Sequence, residues 1–143
     1  MESSVESLSR YRFESSGEAL TDVKIMFANG RYKNAMNRAY YSIFHAIRSV
    51  NSLLGFDSSK HSGVIAFFNQ NYVKTEIFPR EVSKIIKNAS ENREKADYLD
   101  FFVASKGEAE DQILRAEAFR RYIEEYLIKT GVLKPESSHM ETQ

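Results

Sequence analysis

The stretch "RYKNAMNRAYYSIFHAIRSVNSLL", Arg31 to Leu54, decides the fold. Apolar residues recur along it at Tyr32, Met36, Ala39, Ile43, Ile47, Val50 and Leu54, spaced four, three, four, four, three and four. That is the period of one helix face, so the segment reads as a bundle helix about 36 Å long at 1.5 Å per residue. Gly55 follows it as a stop. Beside the apolar seam runs a polar stripe of Arg38, Tyr41, Ser42, His45, Arg48 and Ser49. Arg38 and His45 are seven positions apart, within about 20° of the same face.

The rest of the chain repeats the helical pattern. It contains only two prolines and six glycines, and its apolar residues recur at intervals of three and four. A first helix is expected from about Val5 to Asn29, with Leu8, Ala19, Leu20, Val23, Met26 and Phe27 inward, Ser15 to Gly17 as its weak point and Gly30 as its end. A shorter helix from about Ser59 to Tyr72 carries Val64, Ile65, Phe67 and Phe68. Pro79 forces Phe78 out of helical geometry and suits the start of a helix from about Arg80 to Ala96, buried through Val82, Ile85, Ile86 and Ala89. "DYLDFFVA" reads as a tight aromatic connection, and Ser105 with Glu108 as a capping box opening a last helix to about Ile128. Its inward residues are Ala109, Ile113, Ala116, Ile123 and Leu127. The expected class is all-α: four long helices and an additional short one in an antiparallel bundle over residues 1–130, then a flexible tail, 131–143.

Composition narrows the function classes. At 143 residues, 42% of them hydrophobic, the chain is long enough for one well-formed core. The absence of cysteine excludes disulfides, thiolate metal sites and a cysteine nucleophile. No apolar run approaches the roughly 20 residues needed to cross a bilayer, and the amino terminus lacks a signal-peptide pattern. A soluble, cytoplasmic protein is expected. Twenty basic and 20 acidic residues cancel, which gives no reason for non-specific nucleic-acid binding, but they are unevenly placed. From Val23 to Lys74 stand Lys24, Arg31, Lys33, Arg38, Arg48, Lys60 and Lys74 against one acid, Asp57, whereas fourteen acids lie from Glu76 onward. Either the later helices supply compensating carboxylates, or this region forms an anion-binding surface.

Three constellations carry the candidate chemistry. On the second helix, an Arg fork and an imidazole in one stripe can hold a phosphate and move a proton; they can equally cap carbonyls or pair with acids such as Asp97. In "NREKADY", Arg93 and Asp97 are one turn apart, as in a helical ion pair, and Tyr98 adds a hydroxyl. In "KHSG", Lys60 and His61 open a helix, where free N–H groups attract anions. His45 and His61 lack ligand partners at metal-binding spacing, and His139 lies in the tail, so neither a metal nor a cofactor is expected.

In their order, "ALTDVKIMFANGRYKNAMNRAYYSIFHAI", "KHSGVIAFF", "NREKADY" and "AEDQILRAEAFRRYIEEYL" strongly resemble the HEPN family, named for higher eukaryotes and prokaryotes nucleotide-binding, in its stand-alone prokaryotic branch. The resemblance covers about residues 5–129. It implies an up-and-down four-helix bundle, pairing into a homodimer, and a place in a toxin-antitoxin or defence system, either as a metal-independent ribonuclease or as the nucleotide- or RNA-binding partner of a minimal nucleotidyltransferase. The family's nuclease motif is an Arg followed after four to six residues by a His. At its usual station this chain has Arg93 and, after four residues, Tyr98; Arg38 and His45 fit the spacing on the second helix. A phenol of pKa about 10 is a poor general base at neutral pH. The donor clusters and the resemblance together give the leading expectation, a nucleotide- or phosphate-binding site of Arg38, Tyr41, Arg48, Lys60, His61, Arg93, Asp97 and Tyr98, with Tyr41 and Tyr98 as hydroxyl donors or stacking partners. The alternatives are catalysis by Arg38 and His45, or a non-catalytic dimeric interaction module.

Overall fold

The structure, a computed structural model, describes residues 3–135. It is all-α: α1 (Ser4–Ala28), α2 (Tyr32–Leu53), α3 (His61–Phe68), a π-helical turn (Asn69–Val73), α4 (Glu81–Tyr98) and α5 (Lys106–Lys129). Capping boxes open α1, through Ser3 and Glu6, and α5, through Ser105 and Glu108. Each satisfies two otherwise orphan backbone donors. Gly30 and Gly55 stand after α1 and α2 at φ of 72° and 74°, the left-handed geometry a side chain would resist.

Cross-helix bonds give the up-and-down order. Ser16 of α1 meets Ser42 of α2, and Arg12 reaches Asp57 beyond the end of α2. Asn37 meets Asp97 between α2 and α4, Gln112 meets Asn88 between α5 and α4, and Lys24 pairs with Glu117 between α1 and α5. Arg12 with Asp57 and Asn37 with Asp97 join the start of one helix to the end of another, and Ser16 with Ser42 joins two helix middles, as antiparallel packing requires. Helix α2 is the axis, touching α1, α3, α4 and α5. It buries Met36, Ala39, Ile43, Ile47 and Val50, as its period predicts, and also Ala35, Tyr40, Phe44 and Ala46. Only Asn37, Arg38, Tyr41, His45 and Arg48 interrupt this burial along the middle of the helix, half-buried on the side toward α3 and α4.

Four expectations change. Leu8 and Leu54 are 40% and 56% exposed: Leu8 lies on the solvent side of α1 while the next residue, Ser9, is buried, and Leu54 is the cap residue of α2 before Gly55. Ser15 to Gly17 is no weak point. Ser16 is buried against Ser42, and Arg120 of α5 lies 3.2 Å from where a Cβ on Gly17 would stand, so small residues permit a close helix approach. The "DYLDFFVA" connection begins later than expected, at Leu99. Helix α4 continues through Tyr98, and a turn at Asp100 and Phe101, closed by the Phe102 N–H donating to the Leu99 carbonyl at 3.3 Å, leads to a segment in which Phe102 and Ala104 pack inward while Phe101 and Val103 project at 95% and 84% exposure. Helix α3 also ends early, at Phe68, and the π turn carries Tyr72 inward to donate to the Val50 carbonyl.

At the other end, Val132 is buried, and Arg10 donates to its carbonyl at 2.8 Å, so packing continues past α5. His139 and the end of the expected tail lie outside the described residues.

Candidate functional site

The face of α2 turned toward α3 and α4 brings three helices together. Tyr40 and Tyr41 follow from "RAYY", Phe44 and His45 stand one turn later, His61 comes from the first turn of α3 and Arg93 from α4. The Tyr40 hydroxyl is 3.0 Å from His61 Nδ1. The imidazole stacks on Phe44, centroids 4.1 Å apart at 29°, and meets the edge of Tyr41 at 5.8 Å. The Arg93 guanidinium carbon lies 4.9 Å from the Tyr40 ring centre and 5.7 Å from that of Tyr41. Such cation–π contacts hold a guanidinium by its face and leave its donor edge available.

Arg38 and His45 flank the same Tyr41, at 5.4 Å and 6.4 Å from its ring centre. The Arg93 Nε lies 3.4 Å from Asp97 Oδ2, within ion-pair range but without hydrogen-bond alignment; it is buried with no hydrogen-bond partner. Asp97 is shared with the Asn37 amide at 2.9 Å.

Arg48 belongs to a different arrangement. Its Nε and a terminal nitrogen bond both oxygens of Asp57, at 3.2 and 2.8 Å, and Arg12 of α1 reaches the same carboxylate at 3.1 Å. The one acid in the basic region is therefore used by two of its arginines. Two guanidiniums on one carboxylate still leave a net positive charge. Arg48, Asp57, Ser58, Ser59, Phe44 and His61 line a cleft of about 420 Å³ beside the aromatic cluster.

The electrostatics keep both histidines uncharged near neutrality. Burial lowers the His61 pKa, and Arg93 and Arg48 lower it further; burial lowers that of His45, with Arg48, Arg38, Arg12 and His61 adding to the effect. Burial raises the Tyr40 pKa, so its phenol keeps its proton. Hydrogen bonding from Arg48 holds Asp57 below the usual carboxylate range, and it stays anionic.

The remaining sequence-selected residues stand apart. Lys60 is exposed at the N-cap of α3. Tyr98 is 73% exposed and lines a separate groove of about 550 Å³ with Glu91, Glu94, Lys95 and Leu99. Five residues along a helix turn a side chain by about 140°, so Arg93 and Tyr98 point different ways. The histidine that does meet Arg93's surroundings is His61. Sequence reading passed over Tyr40, Phe44 and Arg12. The i to i+4 spacing of Tyr40 and Phe44 was a visible signal, whereas nothing local marks Arg12. Among the described residues no three His, Asp or Glu side chains form a metal-sized group, and no helix is long and apolar enough to cross a membrane.

An all-α bundle whose central helix and α3 together form a cleft lined by Arg48 and His61, beside a tyrosine pair, defines the class. Comparison with known proteins then gives the family. The HEPN domain matches residues 9–126, and the chain belongs to that family. It is 34% identical over 110 residues to a UPF0332 protein of Thermotoga maritima, covering 77% of this chain and 83% of that one. It is 31% and 35% identical to two Methanocaldococcus jannaschii proteins that both bear the name "Putative toxin". Those matches cover 76% and 71% of this chain and 74% and 75% of the relatives.

Proposed function

We propose that this chain is the nucleotide- or RNA-binding HEPN component of a cytoplasmic two-component system of the toxin-antitoxin or defence kind, homodimeric and partnered by a minimal nucleotidyltransferase. The observation that carries this reading is the Arg93 guanidinium, laid on Tyr40 and Tyr41 with its Nε free of hydrogen bonds, beside a cleft walled by His61 and Arg48. Guanidinium edges and imidazole N–H groups suit phosphate oxygens, and Tyr41 offers a ring to a base. The toxin names of two relatives support the system, and the exposed run Tyr98, Leu99, Phe101 and Val103 supports a protein contact.

Calorimetry with adenosine triphosphate and with a short single-stranded RNA, at low salt, tests it. Saturable binding that weakens about tenfold or more in Arg93→Ala is expected. No response to either probe overturns the reading. For the dimer, Phe101→Asp is expected to shift the light-scattering mass toward the monomer.

A second reading is favoured by Arg38 and His45 flanking one tyrosine: a metal-independent ribonuclease in which Arg38 steadies the charged phosphate and His45 moves a proton. It requires RNA cleavage in EDTA that His45→Ala abolishes.

A further inference from the structure

Resting on the phosphate-binding reading, we propose that Tyr40 is a positioning residue. By donating its hydroxyl to His61 Nδ1, it fixes the imidazole with its proton on Nε2, so that an uncharged histidine presents an N–H to an anion in the cleft.

The geometry for this is complete on the Tyr40 side. Tyr40 is 3% exposed, and its ring is held edge-on by Tyr41 at 5.3 Å, by the stacked Phe44 at 5.9 Å and by the Arg93 guanidinium at 4.9 Å. A ring so confined has one place for its hydroxyl, and that place is 3.0 Å from His61 Nδ1. Phe44 fixes the plane of the imidazole from the other side, and His61 lines the cleft. With Nδ1 engaged, Nε2 is the ring nitrogen left for a ligand.

The choice of tautomer decides what that nitrogen can do. A neutral imidazole has one donor and one acceptor, and only a donor at Nε2 can meet a phosphate oxygen. Charging the ring would also supply a donor, but its surroundings oppose a charge. From α2 it faces Tyr40, Tyr41, His45 and Arg48, and from α4 Arg93; Asp57 at the cleft wall is already taken by Arg48 and Arg12. Burial keeps the Tyr40 proton in place. Tyr40 thus supplies by hydrogen bonding the donor that ionisation would otherwise have to supply.

Nitrogen-resolved NMR of the full chain with labelled histidine tests this without any ligand. The expected result is a His61 ring carrying no proton on Nδ1 at pH 7.5. In Tyr40→Phe, which keeps the ring packing and removes the hydroxyl, the hydrogen-bonded Nδ1 signature is lost. The His61 titration midpoint then rises by about one pH unit, because the bond favoured the neutral ring. A native Nδ1 that bears the proton overturns the proposal, and this needs no variant. A midpoint in Tyr40→Phe that stays or falls overturns it as well. Failure of nucleotide and RNA to bind would defeat the function proposed above and leave this result standing, so the two failures are distinguishable.

Discussion

Two half-buried arginines, Arg120 and Arg93, sit in the same bundle and have opposite uses. Arg120 gives its Nε to Ser16 Oγ at 2.9 Å and a terminal nitrogen to the Phe13 carbonyl at 3.2 Å, with its guanidinium 4.1 Å from the Phe13 ring centre. Its donors are engaged by two helix contacts that it ties together. Arg93 is held by ring faces and one unaligned carboxylate, and among the described residues its guanidinium makes no hydrogen bond. A cation held by directional bonds is part of the fold, and a cation held by π faces keeps its directional bonds for something else.

The largest effect that would break this contrast belongs to Arg120. Arg120→Ala removes bonds to a charged donor and leaves a gap against Gly17, a loss of about 3 kcal/mol in urea unfolding, with RNA affinity of the folded protein unchanged. Arg93→Ala reverses the pattern: affinity falls about tenfold or more while stability moves by less than about 1 kcal/mol. A distant control, Ser105→Ala, removes a capping box and costs about 1 kcal/mol without touching binding.

The smallest expected effect is on pH dependence. His45 and His61 have pKa values below their unfolded value of 6.5, so the native state binds their protons less readily than the unfolded chain does. Their contribution to stability is present above about pH 6.5 and is lost as pH falls through the lower folded values. Urea midpoints should drop between pH 7 and 5, and His45→Gln should flatten part of that slope.

Sequence periodicity carried the fold because Met36, Ala39, Ile43, Ile47 and Val50 repeat at the helical interval, and because Ser105 and Glu108 announce a helix start within four residues. Local patterns fail where a partner from another helix decides the outcome. Ser15 to Gly17 looked weak because Arg120, 104 residues beyond Ser16, is invisible to a local window. Asp57 was seen as one acid among many bases, and only the α2–α3 connection shows it held by Arg48 and Arg12. Within the site, Arg38, Tyr41, His45, His61 and Arg93 were all legible as donor-bearing residues. Their grouping was not: it depends on α3 and α4 docking against the same face of α2, and it leaves Tyr98 outside and brings Tyr40 in.

The most direct measurement follows arginine Nε and histidine ring signals of the full chain by NMR during titration with a short single-stranded RNA at low salt. Arg93 and His61 should shift together and saturate, while Arg120 stays still. Silence at Arg93, or movement of Arg120 to the same extent, would contradict the assignment of the α2, α3 and α4 cluster as the phosphate-binding site.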